Sequence, residues 1–161
     1  MNAMNTYLAI AEKDLEAADV LKRSSFFNQS AKLYQQFLEK TLKHIIDCNT
    51  GTVLETDVLL LKSHNLVRLA ERVEDITGAA FHKDDMAWLR VAKDYYFEVG
   101  YPGDAFIEVT KAQIDDLSSW IKDFAIVLQS LVEKQQQTEP VDFAGVLGEK
   151  EGAGAPDRSE A

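Results

Sequence analysis

The sequence predicts an all-α fold, an antiparallel up-and-down bundle of about five helices with a flexible acidic C-terminal tail. Apolar residues recur at steps of three or four through most of the chain, and no segment alternates strictly between apolar and polar residues. The length of 161 residues suits one domain with one core. From Thr138 the helical period is lost in an acidic segment that contains glycine and proline.

Two helices are predicted in the first third of the chain. The first has one apolar face and ends near Ser24; the face comprises Met4, Leu8, Ala11, Leu15, Ala18 and Leu21. The second is longer, and Gly51 can end it in a left-handed conformation; its apolar series is Phe27, Ala31, Tyr34, Leu38, Leu42 and Ile45. Residues 52–62 fit either a short helix or a buried connector.

Three further helices are predicted before the tail. Ser63 is the expected N-cap of the third, and Gly78 follows its end. Asp84 and Asp85 suit the first turn of the fourth, which is apolar nearly all round and should therefore be central. The last begins after Pro102 and packs along its whole length.

The predicted domain organisation is a helical bundle over residues 1–137 and a flexible, low-complexity tail over residues 138–161. A small apolar island lies within this tail, and it either docks on the body or reflects chance composition; its members are Val141, Phe143, Val146 and Leu147.

Charge and hydropathy exclude several classes of protein. The net charge is −10, of which the tail contributes −4 and the remainder −6, so no broad basic face for nucleic acid is indicated. No apolar run approaches the roughly 18 residues of a membrane span, and none at the N-terminus resembles a signal peptide. We therefore expect a cytoplasmic protein without a membrane partner.

The sequence also lacks the common metal and cofactor motifs. A di-iron bundle requires glutamate three residues before histidine, but Thr41, Leu61 and Ala79 precede the three histidines at that distance. No HExxH, GxGxxG, GxxxxGK[ST] or GxSxG pattern occurs. We therefore predict no metal ion, no cofactor and no catalytic residue of these classes.

The remaining candidates form a loose constellation in which each residue also has an ordinary structural explanation. The "YQQFLEKTLKHI" stretch contains Gln36, Glu39, Lys40 and Lys43, which could equally form a solvated, salt-bridged face. His64 could simply bond at a helix start, and Tyr95 and Tyr96 could fill the core. The "GYPG" stretch, with Tyr101 and Pro102, could merely turn the chain.

Taken in order, four stretches resemble the HEPN family of small helical bundles: "EKDLEAADVL", "YQQFLEKTLKHII", "SHNL" and "DYYFEVGYPGD". The likeness spans about residues 7–132. It implies an up-and-down bundle, usually a homodimer, that is often encoded with or fused to a nucleotidyltransferase partner. Members of the family act in toxin–antitoxin, antiviral and RNA-processing settings.

The resemblance carries over residue by residue. In the second helix, the family's glutamine and Glu-Lys pattern is matched by Gln36, Glu39, Lys40 and Lys43. A His-Asp-Leu element is matched by His64, Asn65 and Leu66, with Asn65 in place of the acid. An Arg-Tyr-Pro element is matched by Tyr101 and Pro102, but Gly100 stands where the arginine would be.

The ribonuclease branch of the family uses an arginine followed by a histidine after four to six residues, and none of the three histidines here has such an arginine. The resemblance therefore implies a non-catalytic module that binds a nucleotide, RNA or a partner protein through the residues just named, together with Tyr95 and Tyr96. Two alternatives remain open. One is a diverged, metal-independent ribonuclease in which His64 and a lysine replace the missing pair, and the other is a purely structural interaction protein.

Overall fold

The computed structural model describes residues 6–49, 55–135 and 142–147, and the regular structure in these residues is helical, without strands. The prediction of an all-α bundle is confirmed. The helices are α1 (Tyr7–Arg23), α2 (Phe27–Asp47), α3 (Glu55–Leu60), α4 (Leu66–Thr77), α5 (Lys83–Lys93), α6 (Lys111–Gln135) and α7 (Phe143–Val146), and a 3₁₀ turn (Asp94–Tyr96) follows α5. The described residues include no helix that is both long and apolar enough to cross a membrane.

Helices α1 and α2 form a tightly joined pair. The Thr6 side chain caps α1 by accepting a hydrogen bond from the Ala9 N–H at 3.1 Å. Three residues then connect the helices, and Ser25 adopts a left-handed φ of 65° in this turn. The buried Ser30 hydroxyl donates to the Ala18 carbonyl at 2.7 Å and fixes the two helices against each other.

The central helix is α2, which packs against α1, α4, α5, α6 and the 3₁₀ turn. The prediction that the fourth helix would be central is wrong, because the corresponding helix α5 buries only Leu89 and Ala92. Its Val91 is 46% exposed. Although α5 is apolar nearly all round, it does not lie at the centre, because it has only 11 residues. Helix α2 has 21 residues and can contact neighbours on every side.

Two predicted boundaries are refined by the structure. The N-cap of α4 is Asn65, whose side-chain oxygen accepts from the Val67 and Arg68 N–H groups, and not Ser63. Ser63 instead accepts a hydrogen bond from the Asn65 N–H through its hydroxyl. Gly78 ends α4 in the predicted left-handed conformation, with φ of 73°.

Within the ambiguous stretch 52–62, residues 55–60 form the short helix α3, while residues 52–54 lie outside the described residues. The helix is tied to α4 by the buried Asp57, whose carboxylate accepts hydrogen bonds from Arg72 at 2.7 and 2.9 Å. A buried carboxylate in this position requires such a bidentate partner.

Part of the segment predicted as a flexible tail is packed on the bundle. Phe143 is fully buried and meets Phe37 edge to face, with ring centroids 5.1 Å apart. Leu147 is also buried, and the Phe143 N–H donates to Gln129. These contacts agree with docking of the apolar island, of which Val141 lies outside the described residues, as do residues 136–140 and 148–161.

We predict that Phe143→Ala lowers the free energy of unfolding by about 2 kcal/mol, the transfer free energy of one buried aromatic side chain. The larger cost of a permanent cavity at the Phe143 site is avoided, because the short segment 142–147 can detach from the bundle. Urea unfolding followed by circular dichroism measures the change. Ile126→Ala, at a site that is 63% exposed, serves as the control and should have little effect. An equal loss in both variants would contradict the docking.

Candidate functional site: an aromatic corner with one lysine

The chain reverses after α5 in a loop that is held by a single asparagine side chain. The Asn28 amide donates to the carbonyl oxygens of Val99 at 3.1 Å and Ile107 at 2.9 Å. Its oxygen accepts from the Val109 N–H at 2.7 Å. Gly103 has φ of 149°, a value that favours glycine. The loop over residues 97–110 is therefore fixed to the start of α2.

The two adjacent tyrosines of the 3₁₀ turn point to different environments. Tyr95 is 5% exposed and belongs to the core. Burial raises the pKa of the Tyr95 phenol, and the charge of Asp94 raises it further. Tyr96 is half-buried and faces the loop. Of the two predicted binding residues, Tyr95 is thus a core residue and Tyr96 contributes to the site.

Four rings and one ammonium group meet at the end of α5, and we call this set the aromatic corner: His64, Tyr96, Phe97, Tyr101 and Lys32. The His64 and Tyr96 rings stack at 3.7 Å with an interplanar angle of 13°. Phe97 meets Tyr96 edge to face at 4.3 Å, and Tyr101 lies 6.5 Å from Phe97. The outer rings are accessible, since Phe97 is 58% and Tyr101 60% exposed.

Lys32 reaches this corner from α2. Its Nζ lies 5.6 Å from the Tyr96 centroid and 5.7 Å from the Tyr101 centroid, both within cation–π range. A Cβ added at Gly100 would lie 3.7 Å from the same Nζ, which is ordinary van der Waals contact. The ammonium group of Lys32 therefore occupies the space beside Gly100.

Behind the corner lies a buried polar network centred on Glu39. This carboxylate is 3% exposed and accepts from Lys43 Nζ at 3.0 Å, while His64 Nδ1 lies 2.6 Å from it. Gln36 donates to the second oxygen at 3.2 Å. Because an ionised carboxylate only accepts, the His64 Nδ1 carries the proton and Nε2 is left as the acceptor of the neutral ring.

The network changes the interpretation of the predicted helix-two residues. The Lys43 side chain is only 9% exposed and pairs with Glu39. Lys43 is therefore part of an internal ion pair and not a surface cation. Lys40 is hydrogen-bonded to Asp14 of α1. Neither lysine is an uncompensated charge available to a ligand.

A cleft of about 510 Å³ opens between α1, α2 and the 3₁₀ turn. Its lining includes Lys32, Gln36, Tyr96 and the paired Asp14 and Lys40. The remaining lining residues are Leu21, Gln29 and Leu33. The cleft thus combines two leucines with six side chains that carry a polar group.

The structure brings together most of the predicted site residues but assigns some of them other roles. Gln36, Lys40 and Tyr96 line the cleft, and Tyr101 and Pro102 are exposed on the loop. Asn65 acts as a helix cap. Lys32 and Asn28 were missed by sequence reasoning. A signal was present, because Asn28, Lys32, Gln36 and Lys40 follow one another at steps of four on α2 and therefore form one polar stripe.

A second cleft, of about 500 Å³, lies against α3 and α4. Its lining includes three carboxylates, those of Asp57, Glu71 and Asp75, against two arginines, of which Arg72 is held by Asp57. The lining therefore carries a net negative charge and does not suit an anion. Among the described residues, no cluster of three His, Cys, Asp or Glu side chains could hold a metal ion.

The fold and the corner define a small helical bundle in which His64, just before α4, stacks on Tyr96 and Tyr96 contacts Phe97, the first residue of the loop that carries Tyr101 and Pro102. The family model of the HEPN domain matches residues 4–135. The chain therefore belongs to the HEPN domain family, as the resemblance predicted. No curated protein and no solved structure matches the chain.

Proposed function

We propose that this HEPN domain is a non-catalytic module that binds a nucleotide or RNA at the aromatic corner. The position of Lys32 carries the proposal, because its ammonium group lies within 5.7 Å of two tyrosine centroids at the edge of a 510 Å³ cleft. A lysine supplies a point charge for a phosphate, and an exposed ring supplies a stacking surface for a base. The cleft volume also lies in the range typical of small-molecule sites.

Two observations favour binding over RNA cleavage. The sequence has no arginine at the required distance before any histidine. In addition, Lys43 is an internal partner of Glu39, and Lys40 is hydrogen-bonded to Asp14. A ribonuclease needs a cation at the scissile phosphate as well as an acid or base, and since these two lysines are held by carboxylates, Lys32 is the cleft lysine that is left for that role.

One observation favours the alternative of a diverged ribonuclease. Glu39 orients His64 through Nδ1, so that Nε2 is an acceptor on a ring whose side chain is 41% exposed. A carboxylate that holds a histidine in this tautomer is a common arrangement for a general base. Incubation of the protein with a short RNA decides between the two functions. Cleavage that His64→Ala abolishes would support the enzyme, whereas intact RNA supports the binding module.

We predict that Tyr101→Ala weakens nucleotide binding about 10- to 100-fold, the usual loss on removal of one stacking ring. Stability should be nearly unchanged because the ring is 60% exposed. Isothermal titration with adenosine 5′-monophosphate gives the affinity, and thermal unfolding gives the stability.

Phe106→Ala is the matched control, since this aromatic residue of the same loop is 48% exposed and has no ring contact in the described structure. The Phe106→Ala variant should bind the nucleotide with the affinity of the wild type. Equal affinity of wild type and Tyr101→Ala would contradict the proposed stacking. A wild type that binds no nucleotide or RNA would favour a protein partner or a purely structural role.

The biological setting belongs to the same proposal. We infer a cytoplasmic homodimer that works beside a nucleotidyltransferase-type partner, in a toxin–antitoxin or related system. The support is membership of the HEPN family together with the exposed apolar side chains at the corner, which a second subunit could partly cover.

A further inference from the structure

Lys32 differs from Lys40, the other cation of the cleft, in having no carboxylate partner within the described part of the chain. Lys40, the other lining lysine, is bonded to Asp14. The Lys32 side chain is half-buried, and its Nζ lies beside the ring faces of Tyr96 and Tyr101 and beside Gly100. A lysine ammonium without a carboxylate partner can bind an anion as a point charge.

The acidic residues around Lys32 limit the number of phosphate groups that the bound anion can carry. Residues 94–110, which form the turn and the loop around the corner, contain the four acids Asp94, Glu98, Asp104 and Glu108 and no basic residue, and of these acids only Asp94 has an ion-pair partner among the described residues, Lys93. A strand with several phosphates would place its further charges near these carboxylates. A single phosphate at Lys32 avoids that repulsion.

Resting on the proposed function, we propose that the site takes a mononucleotide carrying one phosphate, and that Lys32 is the residue that binds this phosphate. The phosphate bonds the ammonium group at the mouth of the cleft, and the base stacks on the exposed ring of Tyr101. A polynucleotide gains no second phosphate contact, because no second uncompensated cation lines the described cleft.

The experiment measures the affinities of adenosine 5′-monophosphate and adenosine for the wild type and for Lys32→Met by isothermal titration. Methionine keeps the apolar stem of lysine and removes only the charge. The wild type should prefer the monophosphate by about tenfold or more, the contribution of one charge-assisted hydrogen bond. Lys32→Met should lose this preference, while its affinity for adenosine stays the same.

Two further variants keep the test decisive. Lys83→Met removes an exposed lysine at the start of α5 and should retain the full preference. In Lys32→Met/Gly100→Arg, the new side chain starts 3.7 Å from the former position of Nζ and should restore a preference for the monophosphate.

Undiminished preference in Lys32→Met would overturn the assignment of Lys32 while leaving the proposed function intact. A four-nucleotide RNA that binds more than about tenfold tighter than the monophosphate would overturn the restriction to one phosphate. If none of these probes binds the wild type, both the proposed function and this inference are overturned.

Discussion

Glu39→Ala is expected to lower the free energy of unfolding by about 3 to 5 kcal/mol, the usual cost of leaving one partner of a buried ion pair alone. The Lys43 side chain is only 9% exposed, and its Nζ loses the Glu39 oxygen that lies 3.0 Å away. His64 loses the carboxylate that lies 2.6 Å from Nδ1. Urea unfolding followed by circular dichroism measures the loss.

A double variant separates the unpaired charge from the lost volume. Glu39→Leu/Lys43→Met replaces both charges with apolar side chains and should recover most of the stability, because neither group then requires a partner. Glu16→Ala is the control for an exposed ion pair, since Glu16 is 55% exposed beside Lys13, and it should change stability by less than about 1 kcal/mol. A similarly small effect of Glu39→Ala would show that Lys43 reaches water.

Asn28→Ala is expected to cost about 3 kcal/mol of stability and to weaken nucleotide binding about tenfold, because one side chain supplies three hydrogen bonds to the loop backbone. Asn28 touches no ligand in the proposed complex. It acts by holding residues 97–110 so that Tyr101 remains beside Lys32, and its role is therefore positional.

Measured affinity distinguishes this positional role from general destabilisation. Gln113→Ala removes an exposed side chain that accepts from the Thr110 N–H at 2.9 Å, outside the corner, and should leave the affinity unchanged. Amide shifts of residues 97–110 should change in Asn28→Ala while those of α6 persist. Wild-type affinity in Asn28→Ala would contradict the role of Asn28 in building the site.

The fold was largely predictable because its main signals are local. The apolar periods of α1, α2 and α6, and Gly78 as the end of α4, depend on residues a few positions apart. The burial of Lys43 was not predictable in this way. Its partner Glu39 is four residues away on the same helix, but the contact between Glu39 and His64, just before α4, joins residues 25 positions apart.

The composition of the site depended on contacts that periodicity does not encode. Asn28 bonds backbone groups 71 to 81 residues away in the chain, and these bonds bring Tyr101 to Lys32. The neighbours Tyr95 and Tyr96 also take different roles, because adjacent side chains of the turn project in different directions and Tyr95 is the one that is buried. The sequence pattern pointed to the aromatic residues of the corner, whereas it placed Lys32 only on the polar stripe of α2 and not beside those rings.

Binding without cleavage at the aromatic corner is tested by an amide NMR titration of the wild-type protein with adenosine 5′-monophosphate and then a short RNA. We expect saturable shifts centred on Phe97, Gly100 and Tyr101, and intact RNA afterwards. Cleaved RNA, or shifts that avoid residues 97–101, would contradict this expectation.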